Sequence, residues 1–174
     1  MGIIVRVLIG LAVVAGIIFA IGLGLPKTHR AESRITLEKS PAEVWEIVRN
    51  PAALVGTWSE LSESRRVEDP GGREVWQQKA GGFPMRLIIE KSNPPSRLVT
   101  RIDADQKSAF GGTWTYTLNP AGAGTTLSIV EDGFVNNPFF RTIMTVMGKH
   151  RTIDGYLKAL ADKLDEPVRP EHVK

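Results

Sequence analysis

The sequence predicts an α+β protein: a curved antiparallel sheet of about seven strands, covered by a long C-terminal helix and preceded by one transmembrane helix. Three observations predict it. An unbroken apolar run, Val7 to Leu25, lies near the start. Strand-like segments separated by Gly, Pro and Asn turns fill the middle. A stretch from Phe139 to Leu164 keeps helical apolar spacing at the end.

The apolar run contains nineteen residues with no charged side chain. As a helix it rises about 28 Å, close to the roughly 30 Å hydrocarbon thickness of a bilayer. Arg6 flanks one edge, Lys27, His29 and Arg30 flank the other, and Pro26 stops the helix where the run ends. The competing reading is a cleaved signal peptide, which needs a shorter apolar core and a small-x-small cleavage site. Gly24-Leu25-Pro26-Lys27 fits that requirement poorly. Ala12, Gly16, Ala20 and Gly24 recur every four residues, a spacing that allows weak helix–helix association in a membrane. Lys27, Arg30, Arg34 and Lys39 outnumber Arg6, so the positive-inside rule places the domain on the cytoplasmic side. The expected organisation is an anchor over 1–26, a linker over 27–32, one domain over 33–166 and a flexible tail over 167–174.

Beyond the anchor, Ile35 and Leu37 alternate with Thr36 and Glu38 as a first strand. Ser40-Pro41-Ala42-Glu43 supplies a helix cap, a proline at the first helical position and a capping box, giving a helix over 41–49. Asn50-Pro51 ends it and introduces a second short helix over 52–58. Six strands then follow, over 64–68, 73–79, 83–91, 97–103, 113–119 and 125–131. The connections are short enough for an antiparallel meander. Phe83, Met85, Leu87 and Ile89 alternate with Arg86 and Glu90, so one sheet face is dry, and Arg86 and Arg101 fall on the wet face. Asn137-Pro138 starts the long helix. That helix is the only element large enough to cover the dry face.

Composition excludes several functions. With no cysteine there is no disulfide, no zinc-thiolate site and no thiol nucleophile. The net charge of +3 includes no basic block, so nucleic acid is not an expected partner. With three histidines, no His-rich metal site is expected, nor a cofactor. Phosphate-binding, dinucleotide and nucleophile-elbow motifs are absent.

Ser40-Pro41-Ala42-Glu43-Val44-Trp45 after the first strand, Trp58 beyond Asn50-Pro51, Gly112-Thr113-Trp114-Thr115-Tyr116 in a late strand, and the long C-terminal helix make residues 33–164 resemble the START and birch-pollen-allergen superfamily. That superfamily, SRPBCC, includes polyketide cyclase/dehydrase-like proteins. The resemblance implies a helix-grip fold with an internal cavity for hydrophobic ligands such as lipids, sterols, polyketides or quinones. It implies no shared catalytic set.

The candidate cavity wall comprises Trp58, Trp76, Met85, Leu87, Trp114, Tyr116, Phe140, Met144 and Met147. Large aromatics and flexible methionines suit an adaptable apolar pocket. Candidates for proton transfer are Glu131, in phase with Leu127 and Ile129, His150 on the long helix, and Tyr116. Three functions follow as expectations. The first is a membrane-anchored binding protein for a hydrophobic small molecule or lipid. The second is a cyclase/dehydratase-like enzyme. The third is a membrane-tethered interaction module with a filled core.

Overall fold

The computed structural model describes residues 2–105 and 107–173. Helix α1 (Gly2–Gly24) comes first, and strand β1 (Thr28–Leu37) follows it after only three residues. Residues 27–32 are therefore not a linker: Thr28 to Glu32 pair with Phe134 to Val130 in an unbroken antiparallel register. The rest of β1 alternates as expected, with Ala31, Ser33, Ile35 and Leu37 buried. Helix α2 (Pro41–Val48) buries Val44, Trp45 and Val48.

The capping box forms as its residues require. The Glu43 amide donates to Ser40 Oγ at 3.4 Å, and the Ser40 amide donates to Glu43 Oε2 at 2.9 Å. Replacing Ser40 by Ala leaves an amide at the helix start without its partner, and a fall in melting temperature of roughly 2–4 °C is expected in calorimetry.

The second short helix does not form as a regular helix. Residues 50–58 make successive turns, with the amides of Ala53, Val55 and Thr57 each bonded to the carbonyl three residues back. Gly56 sits at φ +84°, a left-handed conformation that stops helical propagation.

Strands β2 (Leu61–Val67), β3 (Glu74–Ala80), β4 (Phe83–Asn93), β5 (Arg97–Ile102), β6 (Phe110–Ala121) and β7 (Gly124–Val135) form the expected meander. The chain then forms α3 (Pro138–Met147), α4 (Arg151–Lys163) and a two-residue strand β8 (Glu171–His172). All eight strands lie in one antiparallel sheet, in the order β2-β3-β4-β5-β6-β7-β1-β8. The tail is tied down: Glu171 and His172 pair with Arg34 and Ser33, and the Val173 amide bonds to the Glu32 carbonyl at 3.0 Å.

The dry face packs against α2 and α4. Leu98, Leu118, Leu127 and Ile129 from the sheet meet Ile153, Leu157 and Leu160 from α4, all at 2% exposure or less. Arg86 and Arg101 lie on the wet face as expected, and there they form ion pairs, Arg86 with Asp69 and Asp103, and Arg101 with Glu90. The long C-terminal helix bends into two pieces. Gly148, at φ +90°, ends α3, and helix resumes at Arg151.

Helix α1 does not project freely. It packs on α3, and Gly22 is its one buried residue among those described. A Cβ at Gly22 would lie 1.9 Å from the Pro138 carbonyl oxygen, so only glycine permits this approach. The buried Arg141 guanidinium completes the joint. It donates to the carbonyls of Val135 (3.0 Å), Asn136 (2.9 Å), Gly22 (2.7 Å) and Leu25 (3.0 Å). The last two are carbonyls at the C-terminus of α1, where a cation is favoured by the helix dipole. Thr142 Oγ1 donates to the Ile18 carbonyl at 2.8 Å. The contact uses Ile18 and Gly22; ideal Cβ atoms at Gly16 and Gly24 would meet nothing within 4 Å.

Candidate functional site

Interrupted between Met147 and Arg151, α3 and α4 do not fill the space over the dry face. A cavity of about 390 Å³ remains between the sheet, both helices and the 50–58 turns. The interior is therefore not filled, against the expectation behind an interaction module. The volume lies near the low end of small-molecule pockets, roughly 300–1,000 Å³.

Eight of the nine residues expected at the wall line this cavity: Trp58, Met85, Leu87, Trp114, Tyr116, Phe140, Met144 and Met147. Trp76 does not. It shares a strand face with Gln78 and Ala80 but lies further along β3, where its indole N–H donates to Glu74 Oε1 at 3.0 Å. Strand alternation identifies a face, not how far along it the cavity reaches.

The floor is aromatic. Trp58, Trp114 and Tyr156 have ring centroids 5.6–6.2 Å apart, with Tyr156 edge-on to both indoles. Gly155 lets α4 sit against this group, since a Cβ there would lie 3.1 Å from Trp58 Nε1. Phe83 and Phe140 close the opposite side, edge to face at 5.9 Å.

The polar groups in this apolar space are few and specific. Glu131 lines the cavity, as its phase predicted. Its neighbour is His29, with Nε2 3.7 Å from Glu131 Oε1. That separation is too long for a hydrogen bond. Among the described residues, the buried side-chain polar atoms with no hydrogen-bond partner are His29 Nε2, Trp58 Nε1 and Glu131 Oε2. All three belong to residues that line the cavity. Buried polar atoms are rarely left unpaired, because desolvation without compensation is costly. His29 and Glu131 together offer an acceptor carboxylate and an imidazole able to donate or accept, while the Trp58 indole N–H faces Gly155 of α4.

Sequence reasoning missed His29 by assigning it to the membrane flank. The signal was present: His29, Ala31, Ser33, Ile35 and Leu37 share one strand parity. Gly133, directly opposite His29 on β7, makes room for the ring; a Cβ there would approach it to 2.5 Å.

The other two proton-transfer candidates are placed differently. Tyr116 lines the cavity, but its hydroxyl is already hydrogen-bonded with Thr100 and Tyr156, and burial pushes the phenol well above its ordinary range. His150 lies outside the cavity at the start of α4, where its Nδ1 meets Ser33 Oγ at 3.1 Å and its ring stacks on His172 at 3.9 Å. Burial, with the adjacent His172, holds its imidazole below the usual range. With Asp154 these two histidines form a side-chain cluster on the β8 side of α4. This cluster was not anticipated, because the tail was expected to be loose.

A family model described as polyketide cyclase/dehydrase and lipid transport matches residues 28–166, from the start of β1 to just beyond α4. The chain belongs to this family. Solved structures give the same fold. The Zhui aromatase/cyclase from Streptomyces sp. R1128 is 13% identical, with 79% of this chain and 94% of that one covered at a TM-score of 0.64. A protein from Thermus thermophilus is 17% identical over 78% of this chain and 97% of its own, at a TM-score of 0.62. The di-domain ARO/CYC protein BexL, from the BE-7585A biosynthetic pathway, is 13% identical, with 85% of this chain and 52% of BexL covered at a TM-score of 0.62. No curated protein matches the chain. Family and fold together support hydrophobic ligand binding or cyclase-type chemistry, and the helix-grip architecture is that of the neighbours.

Proposed function

We propose that the protein is a membrane-anchored binding protein for a hydrophobic small molecule or lipid that carries at least one oxygen function. One observation carries the reading: the unpaired buried polar atoms, on His29, Trp58 and Glu131, all belong to residues lining one apolar cavity. An apolar ligand body fills the space between Met85, Leu87, Met144 and the indoles, while a hydroxyl or carbonyl satisfies the stranded atoms of His29 and Glu131. The residues that would hold the ligand are the eight wall residues together with His29 and Glu131.

The anchor reading draws support from the α1–α3 joint. Helix α1 is long and apolar enough to cross a bilayer. Cleavage after it, as for a signal peptide, would remove two of the four carbonyl acceptors of Arg141 and uncover the face of α3 on which Ile18 and Gly22 pack. A retained helix keeps the cavity next to the membrane and raises the local concentration of membrane-borne ligand. The positive charges after the helix, Lys27, Arg30, Arg34 and Lys39, support a cytoplasmic position for the domain.

A polar recognition pair makes a specific expectation. In the full chain in detergent, Glu131→Gln weakens binding of a long-chain alcohol about tenfold, or about 1.4 kcal/mol, relative to the matching alkane. Equal losses for both ligands, measured by calorimetric titration, would remove Glu131 from the recognition role.

One observation favours the enzyme reading as the alternative: the carboxylate and imidazole stand 3.7 Å apart inside the cavity. Such a pair can take a proton from a carbon beside a carbonyl and return it to a departing hydroxyl, as a cyclase or dehydratase requires. Turnover of a polyketone model compound that Glu131→Gln abolishes would favour that reading over binding alone.

A further inference from the structure

We propose that α3 and the β3–β4 hairpin form a membrane-inserted mouth, through which the ligand passes sideways between the bilayer and the cavity. The inference rests on the anchor reading and adds a surface, a partner and a route to it.

The argument begins with how α3 lies against α1. Pro138 is opposite Gly22, and Thr142 is opposite Ile18, so the two helices run antiparallel. Ile18 is seven residues inside an apolar run that ends at Leu25. In a helix that is about 10 Å below the end of the run. The run spans about 28 Å against a hydrocarbon layer of about 30 Å, so α1 has no spare length by which to lift Ile18 clear of lipid. If α1 spans the membrane, α3 enters it too.

The polar groups of α3 are arranged as lipid requires. A helix in a bilayer must satisfy its polar groups internally. Arg141, its only charged residue, is enclosed by four backbone carbonyls. Thr142 donates to the Ile18 carbonyl and Thr145 to the Arg141 carbonyl. The side chains exposed at its far end are Thr145, whose hydroxyl is bonded within the helix, and the apolar Val146 at 83% and Met147 at 46%.

The same rim opens onto the cavity. Phe140, Ile143, Met144 and Met147 of α3 line it, as does Phe83 at the start of β4, itself 47% exposed. Phe83 bridges the hairpin to α3 through its edge-to-face contact with Phe140. Gly148, at φ +90°, supplies the bend that separates this rim from α4. The bilayer is the occupant these features select: the exposed apolar end of α3 continues the lipid-facing surface of α1.

The chain has no cysteine, so single cysteines can be labelled with nitroxides in the full-length protein reconstituted into phosphatidylcholine vesicles. Labels go at Val146→Cys, at Val13→Cys in α1, and at Lys91→Cys on the sheet. Val146 and Lys91 are exposed, so both substitutions leave packing intact, and matched melting temperatures confirm it. The expected result is that the Val146 and Val13 labels collide more with oxygen than with a water-soluble nickel chelate, while the Lys91 label does the reverse. If Val13 reads as lipid and Val146 as water, the mouth is overturned and the anchor stands. If Val13 reads as water, both are overturned.

Discussion

Replacing Arg141 by Met is expected to lower the melting temperature of the full chain in detergent by about 10 °C. The guanidinium is 5% exposed and donates to four carbonyls, two from the α1 end and two from the β7–α3 turn. Methionine fills a similar volume but offers no donors. Four buried acceptors then lose their partner, at about 3–5 kcal/mol in all. For a chain of this size each kcal/mol shifts the midpoint by roughly 2–4 °C. Because the lost bonds hold α1 to α3, protease cleavage between α1 and β1 should also speed up. An unchanged midpoint in a calorimetric scan would mean that α1 is only a tether.

Leu87→Trp is expected to weaken ligand binding at least tenfold, or about 1.4 kcal/mol, while the fold persists. Leu87 lies on the dry face of β4, between Met85 and Ile89, and lines the cavity. An indole there extends into existing space rather than into a packed neighbour. The ligand loses the volume that the ring takes. Overpacking would itself cost about 1–3 kcal/mol if the space were absent, so the melting temperature distinguishes the two cases. A stable variant that still binds with full affinity would move the binding site out of this cavity.

Much of the architecture was legible because it has local causes. The capping box at Ser40 and Glu43, the cap at Asn137 and the alternation of Met85, Leu87 and Ile89 each follow from neighbouring residues, and each appears where expected. The second short helix failed locally too, at Gly56, whose positive φ no periodicity reveals. The long helix bent at Gly148 because a left-handed residue ended α3 there.

The site was half legible for a related reason. Alternation places Glu131 and Trp114 on the dry face, and both line the cavity. It would have placed His29 there as well, had β1 been extended backward through its charged residues. Strands tolerate charge on alternate positions, and Thr28 to Ser33 is such a stretch. The α1–α3 joint had no local trace. Arg141 bonds to Gly22 across 119 positions of sequence, and neither residue departs from the composition of its own helix. A glycine in an apolar helix and an arginine in an amphipathic one become informative only when the fold brings them together.

Mass spectrometry of the intact, full-length protein released from lipid nanodiscs tests the proposed binding role most directly. The expected spectrum has one hydrophobic, oxygen-bearing molecule bound per wild-type chain and none bound to Leu87→Trp. A wild-type chain that emerges empty after exposure to membrane lipids, or a Leu87→Trp chain with the same load as wild type, would contradict it.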